Sequence, residues 1–135
     1  MATLESFKNA LRGIKSNRTL DDRDLKAAVL LTESATDLDL SEFRECVGIG
    51  SWESYVARQK VEIPTLNDFR HVDITTQYDA DVVVGAAYNG DTYTATILKN
   101  RYGEYGVSVE FFVHEGRYVD FAEARRLLRS QKVDE

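Results

Sequence analysis

Residues 81–98 read DVVVGAAYNGDTYTATIL, two apolar-alternating runs that meet at Asn89-Gly90. Asparagine and glycine both tolerate positive φ, so the dipeptide predicts a two-residue type I′ turn and hence a register. In that register Tyr88 faces Asp91, Ala86 faces Tyr93, Val84 faces Ala95 and Val82 faces Ile97. Residues directly opposite share a face, so Val82, Val84, Ala86, Tyr93, Ala95 and Ile97 make one apolar side. The other side sets Val83, Gly85 and Ala87 against Thr92, Thr94 and Thr96, the half-polar surface of a sheet wetted on one face.

From about His71 onward the period is two. Strands are expected near 72–78, 81–88, 91–98, 106–114 and 117–121, with glycines as turn markers and a wide loop, KNRYGEYG, between the third and fourth. A C-terminal helix opens at Asp120, with Glu123 completing a capping box, and buries Phe121, Ala124, Leu127 and Leu128. Upstream the period is helical. Leu4, Phe7, Leu11 and Ile14 form a first stripe with Thr3 as N-cap. A second helix is expected to carry Asp21, Asp22 and Asp24 in its first turn and to bury Leu25, Ala28 and Val29. Asp39 and Glu42 suggest a third, with Leu40, Phe43 and Val47 inward. Ser51 caps a fourth, SWESYVARQK, which stops before Pro64. The sequence thus predicts an α+β chain in three parts. Residues 1–62 form a bundle of about four helices, 63–71 a linker, and 72–135 a small antiparallel five-stranded barrel or sheet with its C-terminal helix.

The pattern YDADVVVGAAYNGDTYTATIL (78–98) followed by VSVEFFVHEGRYVDFAEARRLL (107–128) resembles the Tudor family of small barrels. The resemblance implies an aromatic cage for a methylated cation, mapping onto Tyr88, Tyr93, Phe112 and His114. His114 stands where the family has an aromatic, and Glu115 and Gly116 stand where it has asparagine. Residues 41–64, SEFRECVGIGSWESYVARQKVEIP, resemble the lambda-repressor-like helix-turn-helix. That likeness implies Gly50, Ser51, Trp52, Ser54 and Tyr55 near base edges and Arg58 and Lys60 near phosphates. The alternative is a plain helical hairpin in which Trp52, Tyr55 and Val56 pack onto Phe43 and Val47. Arg125, Arg126, Arg129 and Lys132 lie outside the Leu127/Leu128 stripe, either as a solvated face or as a second site for an anionic partner.

Bulk composition narrows the function classes. Of 135 residues, 43% are hydrophobic and 30% charged, with a net charge of −6, which disfavours indiscriminate nucleic-acid binding and suits docking on a basic protein. No signal-peptide core or membrane-length apolar run occurs, so a cytoplasmic protein is expected. One cysteine, Cys46, and two histidines, His71 and His114, offer no metal-type spacing. No phosphate-binding glycine loop is present. The sequence therefore points away from an enzyme, a metal site or a cofactor. It suggests a regulatory binding protein, reading DNA with its helical half and dimerising or binding partners with its barrel. The competing expectation is a small acidic inhibitor or immunity-type protein of the kind mobile elements encode, which occludes a basic target.

Overall fold

The computed structural model describes residues 3–17, 26–47, 52–56, 65, 74–121 and 123–126. Helix α1 spans Leu4–Asn17, strand β1 Ala27–Leu31, helix α2 Ser41–Val47, strand β2 Glu53–Val56 and helix α3 Ile74–Asp79. Strands β3 (Val82–Tyr88), β4 (Tyr93–Asn100), β5 (Ser108–His114) and β6 (Arg117–Val119) follow. The six strands form one open sheet in the order β2-β1-β3-β4-β5-β6. Both neighbours of β1 run parallel to it, and the remaining pairs are antiparallel.

This overturns the expected helical bundle followed by a five-stranded barrel. Among the described residues a single helix, α1, precedes a mixed six-stranded sheet that does not close. Strands from both sides of 63–71 share that sheet; the segment itself lies outside the described residues, Thr65 apart. Three local expectations change with it. Ala28 and Val29 belong to β1, not to a second helix, and the acidic residues 21–24 lie outside the described residues. The run AAVLL is buried on both faces, so it carries no period that separates strand from helix. Residues 53–56 form β2 where a fourth helix was expected, because β1 and α2 deliver them alongside β1 as a βαβ unit. Residues 74–79 are helical, whereas a strand was expected over 72–78.

Four expected strands, β3 to β6, are present, but the hairpin register differs from the type I′ reading. Tyr88 pairs with Tyr93, Ala86 with Ala95 and Val84 with Ile97. The turn is centred on Gly90-Asp91: the Asn89 N–H donates to the Thr92 carbonyl at 3.1 Å, and of the central pair Gly90 alone has positive φ, +101°. That sign pattern is the one a type II′ turn requires, with glycine first. The Asn89 side chain explains the choice. Its Oδ1 accepts from the amides of Asp91 (3.0 Å) and Thr92 (2.9 Å), which holds Asn89 outside the turn's centre. Moving the turn by one residue shifts the register by two, and a shift of two leaves every side chain on its expected face. Further along, Leu98 is left over as a bulge between the Val84–Ile97 and Val83–Lys99 pairs.

One face of the sheet is the main core. Leu4, Phe7, Leu11 and Ile14 of α1 and Phe43, Cys46 and Val47 of α2 pack on Val29, Val84, Ile97, Phe111 and Tyr118. Phe43 sits at the centre, with ring centroids 5.0 Å from Phe7, 5.8 Å from Phe111 and 4.8 Å from Tyr118. A second cluster, Ala28, Leu30, Ala80 and Val83, lies on the opposite face. In the last turn of the described chain, Ala124 N–H donates to the Asp120 carbonyl and Glu123 N–H to the Asp120 side chain, the Asp120 half of the expected capping box, while the Glu123 carboxylate turns to Arg117. Phe121 was expected inside but is 40% exposed, resting edge-on against Phe112. Leu127, Leu128 and Lys132 lie outside the described residues.

Two carboxylates tie these layers together. Glu42 accepts from Lys8 Nζ of α1 at 2.7 Å and, with its other oxygen, from the Tyr118 amide of β6 at 2.7 Å. Its side chain therefore faces across the domain instead of back onto the α2 cap, where Asp39 alone receives the Ser41 N–H. Asp81 is fully buried and accepts from the Lys26 N–H (3.0 Å) and the Arg101 guanidinium (3.2 Å), joining the start of β1 to the end of β4.

Glu42→Ala removes an acceptor from two donors at once and should cost about 2 kcal/mol, read from urea unfolding midpoints. An unchanged midpoint would contradict the bridging role. Stability should also fall in alkali. Burial, then Glu42 and Asp39, drive the Tyr118 phenol far above its ordinary 10.0, and its hydroxyl donates to the Asp39 carbonyl. A raised folded-state value stabilises fully below the unfolded value and is lost as pH climbs above it, so unfolding free energy should drop from about pH 10 upward. Tyr118→Phe should flatten that drop, measured by denaturant titration over the same range.

Candidate functional site: the acidic aromatic rim

The connections leaving β1 and β3 diverge. From Leu31 the chain turns toward α2 and β2 through residues 32–40, whereas from Tyr88 it turns the other way through the hairpin to β4. In open sheets containing parallel strands, the crevice at the carboxyl ends where connections diverge is the place the fold leaves available for ligands. Here the two loops are fastened to each other. Thr32 N–H donates to the Ala86 carbonyl at 3.1 Å, Ser34 Oγ donates to the Tyr88 carbonyl at 2.9 Å, and the Thr32 and Ser34 hydroxyls are 2.9 Å apart. A short 3-10 turn, Glu33–Ala35, carries Glu33 outward and buries Ala35.

The rings of Tyr88 and Tyr93 meet at 4.6 Å, and Tyr93 stacks on Phe111 at 5.8 Å with 19° between planes. Both tyrosines are half-buried, and the Tyr88 hydroxyl folds back to the Gly90 carbonyl at 2.8 Å. Burial, then Tyr88 and Asp37, push the Tyr93 phenol up, so it stays a neutral donor. Glu33, Asp37 and Asp39 are exposed on the loop after β1 and Asp91 on the hairpin turn, with Asp37 close enough to act on Tyr93. Asp39 is held below the usual carboxylate range, first by the Ser41 N–H, and stands 3.7 Å from Arg44. Glu33, Asp37 and Asp91 have no cation within ion-pair distance among the described residues. The result is a rim of uncompensated carboxylates beside two aromatic faces, chemistry suited to guanidinium and ammonium groups.

The residues singled out in the sequence fall in several places. Tyr88 and Tyr93 come together at the rim. Phe112 and His114 do not join them: Phe111 pairs with Tyr93, so its neighbour Phe112 points to the opposite face, as does His114 two residues on. Phe112 packs on Phe121, and His114 is exposed, 3.9 Å from Glu115. Trp52 lies in the main core cluster with Phe43 and Val47, and among the described residues its indole N–H has no acceptor. Ser54 and Tyr55 are on β2, not on a groove-facing helix, and the Tyr55 hydroxyl donates to Glu53 at 2.6 Å. Arg125 and Arg126 are exposed. Gly50, Ser51, Arg58, Lys60, His71 and Arg129 lie outside the described residues.

A cleft of about 170 Å³ between α1 and α2 is lined by Lys8, Arg12, Glu42, Glu45 and Cys46. Burial drives the Cys46 thiol up, and its Sγ contacts the Glu42 carbonyl at 3.2 Å, so it is held as a thiol and not as a nucleophilic thiolate. Among the described residues no three His, Cys, Asp or Glu side chains converge to hold a metal ion, and no helix is long and apolar enough to cross a membrane. Compared with models of protein families, with curated proteins and with solved structures, the chain matches none.

The rim depends on its turn. Asn89→Ala strips the acceptor from two loop amides and should cost about 1 kcal/mol, with faster amide exchange at Thr92. Unchanged exchange at Thr92 would contradict the side-chain anchor.

Proposed function

We propose that this is a non-enzymatic binding protein of the acidic-inhibitor type, working in the cytoplasm, whose rim covers a lysine- or arginine-bearing surface of a target protein. The observation that carries the reading is the set of three carboxylates without a cation among the described residues, Glu33, Asp37 and Asp91, on a loop and a hairpin that are bonded to each other beside Tyr88 and Tyr93. Exposed charge of one sign steers an oppositely charged partner and sets the orientation of encounter. The tyrosines add contact that water does not replace, at about 0.5–1 kcal/mol for each exposed cation–π pair. A net charge of −6 keeps the long-range field consistent with that partner. The buried, protonated Cys46 and the solvent-facing His114 support the non-enzymatic side of the reading.

A fluorescent deca-arginine peptide and a random-sequence DNA duplex are the probes. The peptide should bind in a salt-sensitive manner and shift the amide resonances of residues 33–37 and 88–93. Asp37→Asn with Asp91→Asn should weaken it roughly tenfold, a change of about 1.4 kcal/mol. Duplex binding as tight as peptide binding, or peptide binding indifferent to the two substitutions, would overturn the proposal.

A further inference from the structure

The same end of the sheet carries a second patch, of opposite sign. Because β5 runs parallel to β3, its last residue, His114, lies at the rim end, and it pairs with Arg117, the first residue of β6. The short helical stretch after β6 stays near that end, since Glu123 Oε1 is 3.9 Å from Arg117 Nη2. Arg125 and Arg126 extend from this stretch into solvent and, among the described residues, meet no carboxylate within ion-pair distance. Acidic rim and arginine patch are three strands apart, about 14 Å at the usual spacing. Between them Val113 is 44% exposed on the last part of β5.

From this arrangement we infer that a second copy of the chain docks on the first end to end, the rim of each against Arg125 and Arg126 of the other. The two patches lie on opposite faces, since Phe121 packs on Phe112 and Phe112 points away from the face that carries Tyr93. A two-fold axis lying across this end of the sheet, at right angles to the line joining the patches and passing near the ends of β4 and β5, exchanges them, so one rotation satisfies both sets of charges and the contact closes at two subunits. Five side chains without an ion-pair partner among the described residues, Glu33, Asp37, Asp91, Arg125 and Arg126, then gain partners, and Val113 lies near the axis, where the two copies meet. Charge complementarity across one end of the sheet is the observation behind this. It is independent of the arginine patch having any role in target binding. Occupation by the chain's own arginines makes the dimer a stored form, which a basic target opens by competing for the rim.

The test is a charge-swap cycle read by light scattering at hundreds of micromolar protein. The wild-type chain should give twice the monomer mass at about 10 mM salt and the monomer mass at about 1 M, where the screening length falls from roughly 30 to roughly 3 Å. Asp37→Arg with Asp91→Arg makes both patches basic, and Arg125→Glu with Arg126→Glu makes both acidic. Each double variant alone should stay monomeric at low salt, with the wild-type unfolding midpoint as the check that it folds. A one-to-one mixture should recover the doubled mass. A wild-type monomer at low salt, a dimer indifferent to the reversals, or a mixture that fails to recover would each overturn the inference. The deca-arginine titration reads the rim alone, so failure of this cycle and failure of the target reading are separable outcomes.

Discussion

Strand β1 must be paired on both edges and covered on both faces. Its five residues carry no group that water could satisfy except backbone, so β2 and β3 take its two edges in parallel. Parallel pairing forbids a tight turn, which is why the chain leaves β1 through a loop and α2 before returning as β2. It also forces the connections after β1 and β3 in opposite directions and leaves a notch between them. The notch, its hydroxyl ties and the carboxylates on its lips all follow from that requirement. On the face that also carries Tyr88 and Tyr93, α1 and α2 close over Phe43, and Glu42 pins both helices' registers to β6.

Much of the sheet's second half is legible from residue order, because β3 to β6 are antiparallel and their contacts are local. The alternation in 81–98 assigns each side chain to its face even though the turn chemistry is misplaced by one residue; asparagine's own side chain, by serving as an acceptor, moves the bend onto Gly90-Asp91. The first half is less legible. A five-residue apolar run buried on two faces has no period, and a four-residue strand such as β2 acquires its geometry from β1, some 25 residues away, not from its own propensity. Trp52, Tyr55 and Val56 look like one stripe of a helix and are divided instead between a core and an edge.

At the candidate site the aromatic half can be read from the hairpin, since Tyr88 and Tyr93 flank its turn. The carboxylates cannot. Glu33 and Asp37 come from a loop whose approach to Tyr88 spans more than fifty residues of chain, and the Thr32 and Ser34 bonds to the Ala86 and Tyr88 carbonyls reveal it. Phe112 and His114 show the reverse error: they are close to the tyrosines in the unrolled pattern, and one step of strand alternation puts them on the far side. Where two surfaces of opposite sign share one end of a small domain, their charges contribute little to holding the fold, since exposed pairs are weak. They can therefore be spent on association without loosening the core.

The indole of Trp52 is the chain's only one, and it is buried in the main core cluster that α2 helps to build, with an N–H that finds no acceptor among the described residues. Its fluorescence consequently reports on the interior and is blind to whatever settles on the charged end. One optical signal thus separates a ligand that merely binds from one that pries α2 away from the sheet.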